Sequence, residues 1–144
     1  YPDGTVQHAG MEFIEDQVPP HPPWPVHRLR HAPGDDPRLK DVAEFPAVTG
    51  ACLFIAKELF EAVGRFSEDY GMYFEDVDLC LKVRQAGKRI VVDPAVCLTH
   101  FETKSSAGMG DLGVILLHAA SVFYSRWERE ARGLARSAPS TEGQ

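Results

Sequence analysis

Tyr73-Phe74-Glu75-Asp76-Val77-Asp78-Leu79-Cys80-Leu81-Lys82-Val83-Arg84-Gln85-Ala86-Gly87 is the stretch around which the rest of the chain is organised. Glu75, Asp76 and Asp78 put three carboxylates within four residues, and the run after them is amphipathic. Tyr70, Gly71, Met72, Tyr73 and Phe74 form a tight or flexible approach, so the acids arrive in the first turn of a helix over 75–86 that Gly87 stops. Carboxylates there satisfy free N–H groups and favour the positive end of the helix dipole by about 0.3–1 kcal/mol each. That structural role accounts for Glu75 and Asp76 without any chemistry. The chemical alternative is a carboxylate pinned at a helix N-terminus, in a cleft with Tyr70, Tyr73 and Phe74, that accepts a proton from a substrate hydroxyl. Asp78 is assigned to the solvated helix face or to the same group of N-terminal acids.

Upstream, residues 57–63 carry Leu59, Phe60 and Val63 at helical spacing, and Gly64 stands where a glycine cap ends such a helix. Residues 45–55 are apolar and partly β-branched, broken at Thr49-Gly50, where the backbone bends or a ligand approaches; the second half is expected to be a buried strand. Asp3-Gly4 is a hairpin pair, followed by a strand near 5–13 that includes His8. Between these, six of the eleven prolines fall from Pro19 to Pro33, with His21, His27, His31 and the pair Asp35-Asp36. Residues 15–41 are therefore expected to be a long loop, and the prolines around the histidines favour a loop over a preformed metal site.

Downstream, 88–93 is a β-branched strand, Pro94 interrupts, and 95–101 is a second strand that delivers His100 to its far end. After a Gly/Ser-rich link over 103–110 comes the longest helix, 111–131. Asp111 suits its cap, and Leu112, Ile115, Leu116, Ala119, Val122, Phe123 and Trp127 form one buried face. Residues 132–144 are expected to be a disordered tail, Ala138 being the one apolar residue from Ser137 onward.

At 144 residues the chain is one domain or a piece of one. With 44% hydrophobic and 25% charged residues it is ordinary globular material, and a net charge of −6 leaves no basic footprint for nucleic acid. The longest apolar run, 114–124, is interrupted by His118 and Ser121 and falls short of the roughly 20 residues of a membrane span. Cys52, Cys80 and Cys97 are odd in number and widely spaced, which fits buried thiols in a reducing, cytoplasmic setting better than disulfides or zinc. Tyr1 opens directly on the turn Pro2-Asp3-Gly4, as expected of a cut inside a longer protein.

Several blocks in order resemble the second half of family 2 glycosyltransferases of the GT-A fold, especially rhamnosyltransferase-like members. They are Val48-Thr49-Gly50-Ala51-Cys52-Leu53-Phe54-Ile55, Phe60-Glu61-Ala62-Val63-Gly64-Arg65-Phe66-Ser67-Glu68-Asp69, Tyr73-Phe74-Glu75-Asp76-Val77-Asp78-Leu79-Cys80-Leu81, and Ala86-Gly87-Lys88-Arg89-Ile90 with Pro94 and His100. Two flanks add to this: Tyr1-Pro2-Asp3-Gly4-Thr5-Val6-Gln7-His8-Ala9-Gly10 looks like the strand leading into the acceptor half, and Phe123-Tyr124-Ser125-Arg126-Trp127 looks like the end of the closing helix.

The resemblance implies an α/β fold: part of a GT-A nucleotide-diphospho-sugar transferase, with a small mixed sheet, flanking helices and a long C-terminal helix, residues 1–131 being the acceptor-side part. It implies that Asp76 is the general base in an inverting transfer from a nucleotide-sugar such as dTDP-rhamnose to a glycan, with Glu75 positioning the acceptor. Thr49, Gly50 and Tyr73 would contact substrate, and His100 would help coordinate a divalent metal or the diphosphate. The resemblance further implies work at the cytoplasmic side, at the inner face of the membrane.

The chain departs from the family in one large respect. The nucleotide-binding half and its Asp-X-Asp motif, which holds the metal on the diphosphate, have no counterpart: Asp76-Val77-Asp78 belongs to the base-bearing motif, and Asp35-Asp36 lies in the proline-rich segment. The divalent metal, Mg or Mn, is therefore expected in a longer parent protein, and the chain by itself is expected not to transfer sugar. Two other functions remain open: a carbohydrate-binding module without catalysis, and a module that self-associates through uncovered sheet surface.

Overall fold

A computed structural model describes residues 1–15, 22–101 and 110–137. Its elements in chain order are β1 (Met11–Ile14), β2 (Trp24–His27), β3 (Ala43–Glu44), α1 (Lys57–Ala62), α2 (Glu75–Gln85), β4 (Val91–Val92) and α3 (Leu112–Ser137), with short 3-10 turns at Pro37–Leu39 and Glu68–Tyr70.

The helices form where caps and spacing agree. Asp111 Oδ1 accepts the amides of Gly113 at 2.9 Å and Val114 at 3.4 Å, satisfying donors that the first turn of α3 leaves free. At the end of α2, Gly87 sits at φ +73°, its N–H donates to Arg84 O, and Lys88 N–H reaches back to Val83 O, the paired closure that a left-handed glycine permits. Gly64 at φ +86° closes α1 in the same manner. Residues 132–137, expected to belong to a disordered tail, instead continue the helix to Ser137, and 138–144 lie outside the described residues.

The core lies where α3 crosses β1 and α2. Phe13 of β1 stacks on Phe123 of α3 at 6.4 Å, and Phe74, just before α2, meets Phe123 at 4.8 Å. Ala119 and Ala131 are fully buried, small residues that let α3 approach its neighbours closely. Leu81, Val77 and Cys80 fill the layer from the α2 side.

The strands differ most from expectation. There is no mixed sheet among the described residues but two antiparallel pairs, β1 with β2 (Met11 opposite His27, Ile14 opposite Trp24) and β3 with β4 (Ala43 opposite Val92). The first strand is shorter than 5–13, and His8 lies outside it. Asp3-Gly4 does turn, with Gly4 N–H on Tyr1 O, but the chain leaving it pairs at Thr5 with Pro33 and so makes no hairpin. The segment 15–41 is not one loop, because β2 lies within it; Pro25 is accommodated because β2 is an edge strand, where the missing N–H costs no ladder bond. Residues 16–21 of that segment, and 102–109 of the Gly/Ser link, lie outside the described residues.

The expected strands at 51–55 and 95–101 are absent, and 88–93 contracts to Val91–Val92. Apolar, β-branched sequence forms a strand only where a neighbour completes the ladder, and none pairs there among the described residues. Val48, Leu53, Ile55, Val92 and Leu98 instead line a cavity of about 750 Å³, with Phe54 92% exposed at its rim. Cys52 and Cys97, expected to be buried, are exposed in these same unpaired stretches; only Cys80 is a buried thiol, and burial pushes it up to about 11.

Candidate functional site

The site is set up by backbone geometry. Tyr73 and Phe74 are consecutive residues with φ +67° and +63°, a region that bulky side chains rarely occupy and that costs on the order of 1–3 kcal/mol each. Packing holds them there: Phe74 is buried, with Trp24 edge-on at 5.1 Å and Phe123 on its other side. The reversed turn starts α2 abruptly at Glu75, with no side-chain cap from Phe74.

Asp76 takes over part of the capping. Its Oδ1 accepts Val77 N–H at 2.8 Å and its Oδ2 accepts Gly50 N–H at 2.9 Å, so the carboxylate bridges the helix start to the Thr49-Gly50 turn. A Cβ at Gly50 would lie 3.4 Å from Asp76 Cβ, an ordinary contact, so it is the Gly50 amide and not the missing side chain that the approach uses. Both carboxylate oxygens keep a lone pair for a further donor, as a proton acceptor requires.

Glu75 is half-buried, and no hydrogen-bond partner meets its Oε2 among the described residues. Burial raises its carboxyl above the usual range, and the neighbouring Asp76 charge adds to this. Tyr73 is half-buried in the turn that precedes the two acids. Thr49 N–H donates to His8 Nε2 at 3.3 Å, and Thr49 Oγ1 accepts Ala51 N–H at 3.4 Å. Three of the expected residues, Asp76, Gly50 and Thr49, therefore meet at one turn, with Glu75 next to Asp76 in the chain.

His100 lines the 750 Å³ cavity together with Thr49 and His8, while neither Glu75 nor Asp76 is among that cavity's described lining residues. Its Nδ1 is buried and meets no hydrogen-bond partner among the described residues. Among the described residues no three His, Cys, Asp or Glu side chains gather to hold a metal ion, so the groups present do not fit a metal centre of their own.

Two features escaped the sequence. Asp78 is not on a solvated face but fully buried: its Oδ1 accepts Tyr70 O–H at 2.9 Å and Trp127 Nε1–H at 2.8 Å, and Lys82 Nζ stands 2.6 Å from Oδ2 as an ion pair off hydrogen-bond angle. Burial, then the Asp78 charge, pushes the Tyr70 hydroxyl above its ordinary range. A local signal existed in the Asp78, Lys82 spacing of four and in the indole N–H on the buried face of α3, which needs an acceptor. The second is His8, whose Nδ1 lies 3.2 Å from His27 Nδ1 and whose ring burial depresses to about 4, with His27 adding to the effect. Nothing local in the sequence pairs these two histidines.

Among the described residues no helix is long and apolar enough to cross a membrane. No family model and no solved structure matches the chain. Relatives do. The chain is 44% identical over 109 residues to the uncharacterised protein y4gI of Sinorhizobium fredii, and 34% identical over 107 residues to the O-antigen biosynthesis protein RfbC of Myxococcus xanthus, each match covering 73% of the chain. It spans only 11% and 8% of those two proteins. It is also 29% identical over 117 residues, again 73% of its length, to the N-acetylglucosaminyl-diphospho-decaprenol L-rhamnosyltransferase of Mycobacterium tuberculosis, of which it spans 36%. Likeness to a rhamnosyltransferase and to an O-antigen biosynthesis protein supports a glycosyltransferase family over part of the chain.

Proposed function

We propose that the chain is the acceptor-side part of an inverting glycosyltransferase with a family 2, GT-A type architecture, and that Asp76 is its general base. The observation that carries this is the Asp76 carboxylate held between the amides of Gly50 and Val77 at the start of α2, with Glu75 beside it. The donor is a nucleotide-activated hexose or deoxyhexose and the acceptor a glycan hydroxyl, delivered at the cytoplasmic face of a membrane. The acceptor oxygen attacks the anomeric carbon as the bond to the diphosphate oxygen breaks. The electron pair leaves with the nucleoside diphosphate, the hydroxyl proton passes to Asp76, and the anomeric configuration inverts. Glu75 orients the acceptor; Thr49, Gly50 and Tyr73 line its approach.

The test is a sugar-transfer assay on the whole natural protein with Asp76→Asn. Loss of a general base lowers the rate by about 10²–10⁴. Turnover within a few-fold of wild type would remove Asp76 from the role.

A second function, self-association or docking without catalysis, is favoured by the exposed apolar side chains of Phe54, Val96, Leu98 and Phe101. Sedimentation of the chain separates the two, since a clean monomer at high concentration counts against it.

A further inference from the structure

Two successive backbone amides tie one turn to two different side chains. Thr49 N–H donates to His8 Nε2 at 3.3 Å, and Gly50 N–H donates to Asp76 Oδ2 at 2.9 Å. Gly10 N–H also points at His8 Nε2, at 3.3 Å. With two donors converging on one nitrogen, Nε2 accepts and the neutral ring carries its proton on Nδ1, directed at His27 Nδ1; that nitrogen then accepts, and its 3.2 Å approach to Gln7 O is a contact and not a hydrogen bond. The residue before the turn is held from α2, where Cys80 Sγ accepts Val48 N–H at 3.4 Å. The turn is thus gripped by Cys80 and Asp76 on the helix side and by His8 on the other, and a proton on His8 Nε2 would set an N–H against two N–H groups.

We propose that His8 is a positioning residue for Asp76: its unprotonated Nε2 holds Thr49 so that the adjacent Gly50 amide meets the carboxylate, and protonation of His8 releases both. The proposal rests on Asp76 being the proton acceptor of the reaction above. The groups that face this linkage are His27 from β2, which adds to the burial that keeps His8 neutral, and Cys80 and Asp76 from α2. Cys80 stays a thiol throughout the range in question. Above about 4 His8 is neutral and the linkage is closed; as the pH falls through about 4 it opens.

The experiment is a ¹⁵N NMR titration of the 144-residue chain. In the wild type the Thr49 and Gly50 amide signals shift together, with the midpoint given by the carbon-bound ring protons of His8. In His8→Gln, which offers an acceptor but takes no proton, that transition disappears from both amides. In His8→Phe, Gly50 N–H exchanges with solvent about fivefold faster or more at neutral pH, as for loss of one hydrogen bond, while His8→Gln stays near wild type. A Gly50 transition that persists at the His8 midpoint in His8→Gln overturns the proposal, as does a wild-type Gly50 midpoint unrelated to that of His8. If His8→Phe does not fold, the wild-type and His8→Gln titrations decide. None of these signals depends on sugar transfer, so their failure is distinct from failure of the Asp76→Asn assay.

Discussion

Trp127 Nε1–H donates to Asp78 Oδ1 at 2.8 Å across 49 residues of sequence, joining α3 to α2 through a fully buried carboxylate. Tyr70 shares that oxygen, and Lys82 neutralises the other. A buried ion that loses its counter-group leaves the rest unsatisfied. Asp78→Ala is therefore expected to destabilise by about 3–5 kcal/mol, and Trp127→Phe, which removes one bond to a charged acceptor, by about 1.5–3 kcal/mol. Urea denaturation at neutral pH measures both; a near-neutral Asp78→Ala would mean that the network is not holding the helices together.

Gly10 presses against an aromatic face. At φ +97° a side chain is already strained, and a Cβ there would lie 2.4 Å from the Phe45 ring, which also carries the Arg28 guanidinium at 5.5 Å. Gly10→Ala is expected to cost about 2–4 kcal/mol. A double-mutant cycle with Phe45→Ala should recover the overlap component but not the backbone component.

Stability should fall in mild acid because of His8. Its folded value of about 4 lies below the 6.5 of an unrestrained imidazole, so both states are neutral above 6.5 and contribute no slope. Between 6.5 and 4 the unfolded chain takes up a proton that the folded chain refuses, and stability drops as pH falls, by no more than about 3 kcal/mol. Thermal melts of wild type and His8→Gln across that window should converge at neutral pH and separate toward acid.

Glu75 predicts the opposite slope. Its folded carboxyl is raised by burial, so its ionised form is the disfavoured one, and the penalty is present at neutral pH and relieved as the group protonates in acid. Glu75→Gln should melt higher than wild type at neutral pH, with the gap closing in acid. If Glu75 orients the acceptor, the same variant raises KM in the transfer assay with a smaller effect on kcat. A variant less stable than wild type at neutral pH would show that the carboxylate has a partner.

The three helices were legible because their signals are local: Leu59, Phe60 and Val63 before Gly64, the acids of α2 before Gly87, and Asp111 ahead of the Phe123 and Trp127 face. Strands depend on partners elsewhere in the chain. Residues 51–55 and 95–101 have the composition but no paired neighbour among the described residues, whereas Trp24–His27 has a neighbour in β1 despite Pro25. Within the site, the contiguous pair Glu75-Asp76 was visible and the Gly50 contact was foreshadowed by the Thr49-Gly50 break. The burial of Asp78 and the grip of His8 on Thr49 were not, since Trp127 and Thr49 lie 49 and 41 residues from their partners.

Asp76 and Asp78 are two residues apart on α2, about 200° around its axis at 3.6 residues per turn. One is locked in the core and the other faces Gly50. The helix therefore behaves as an axle with an indexed end: the buried carboxylate admits only one angular setting, and that setting aims the opposite carboxylate. Inserting or deleting a residue in the turn before Glu75 leaves the aim unchanged provided Asp78 still reaches Trp127. Inserting a residue between Asp76 and Asp78, or deleting Val77, while keeping the helix intact turns one carboxylate relative to the other by about 100°.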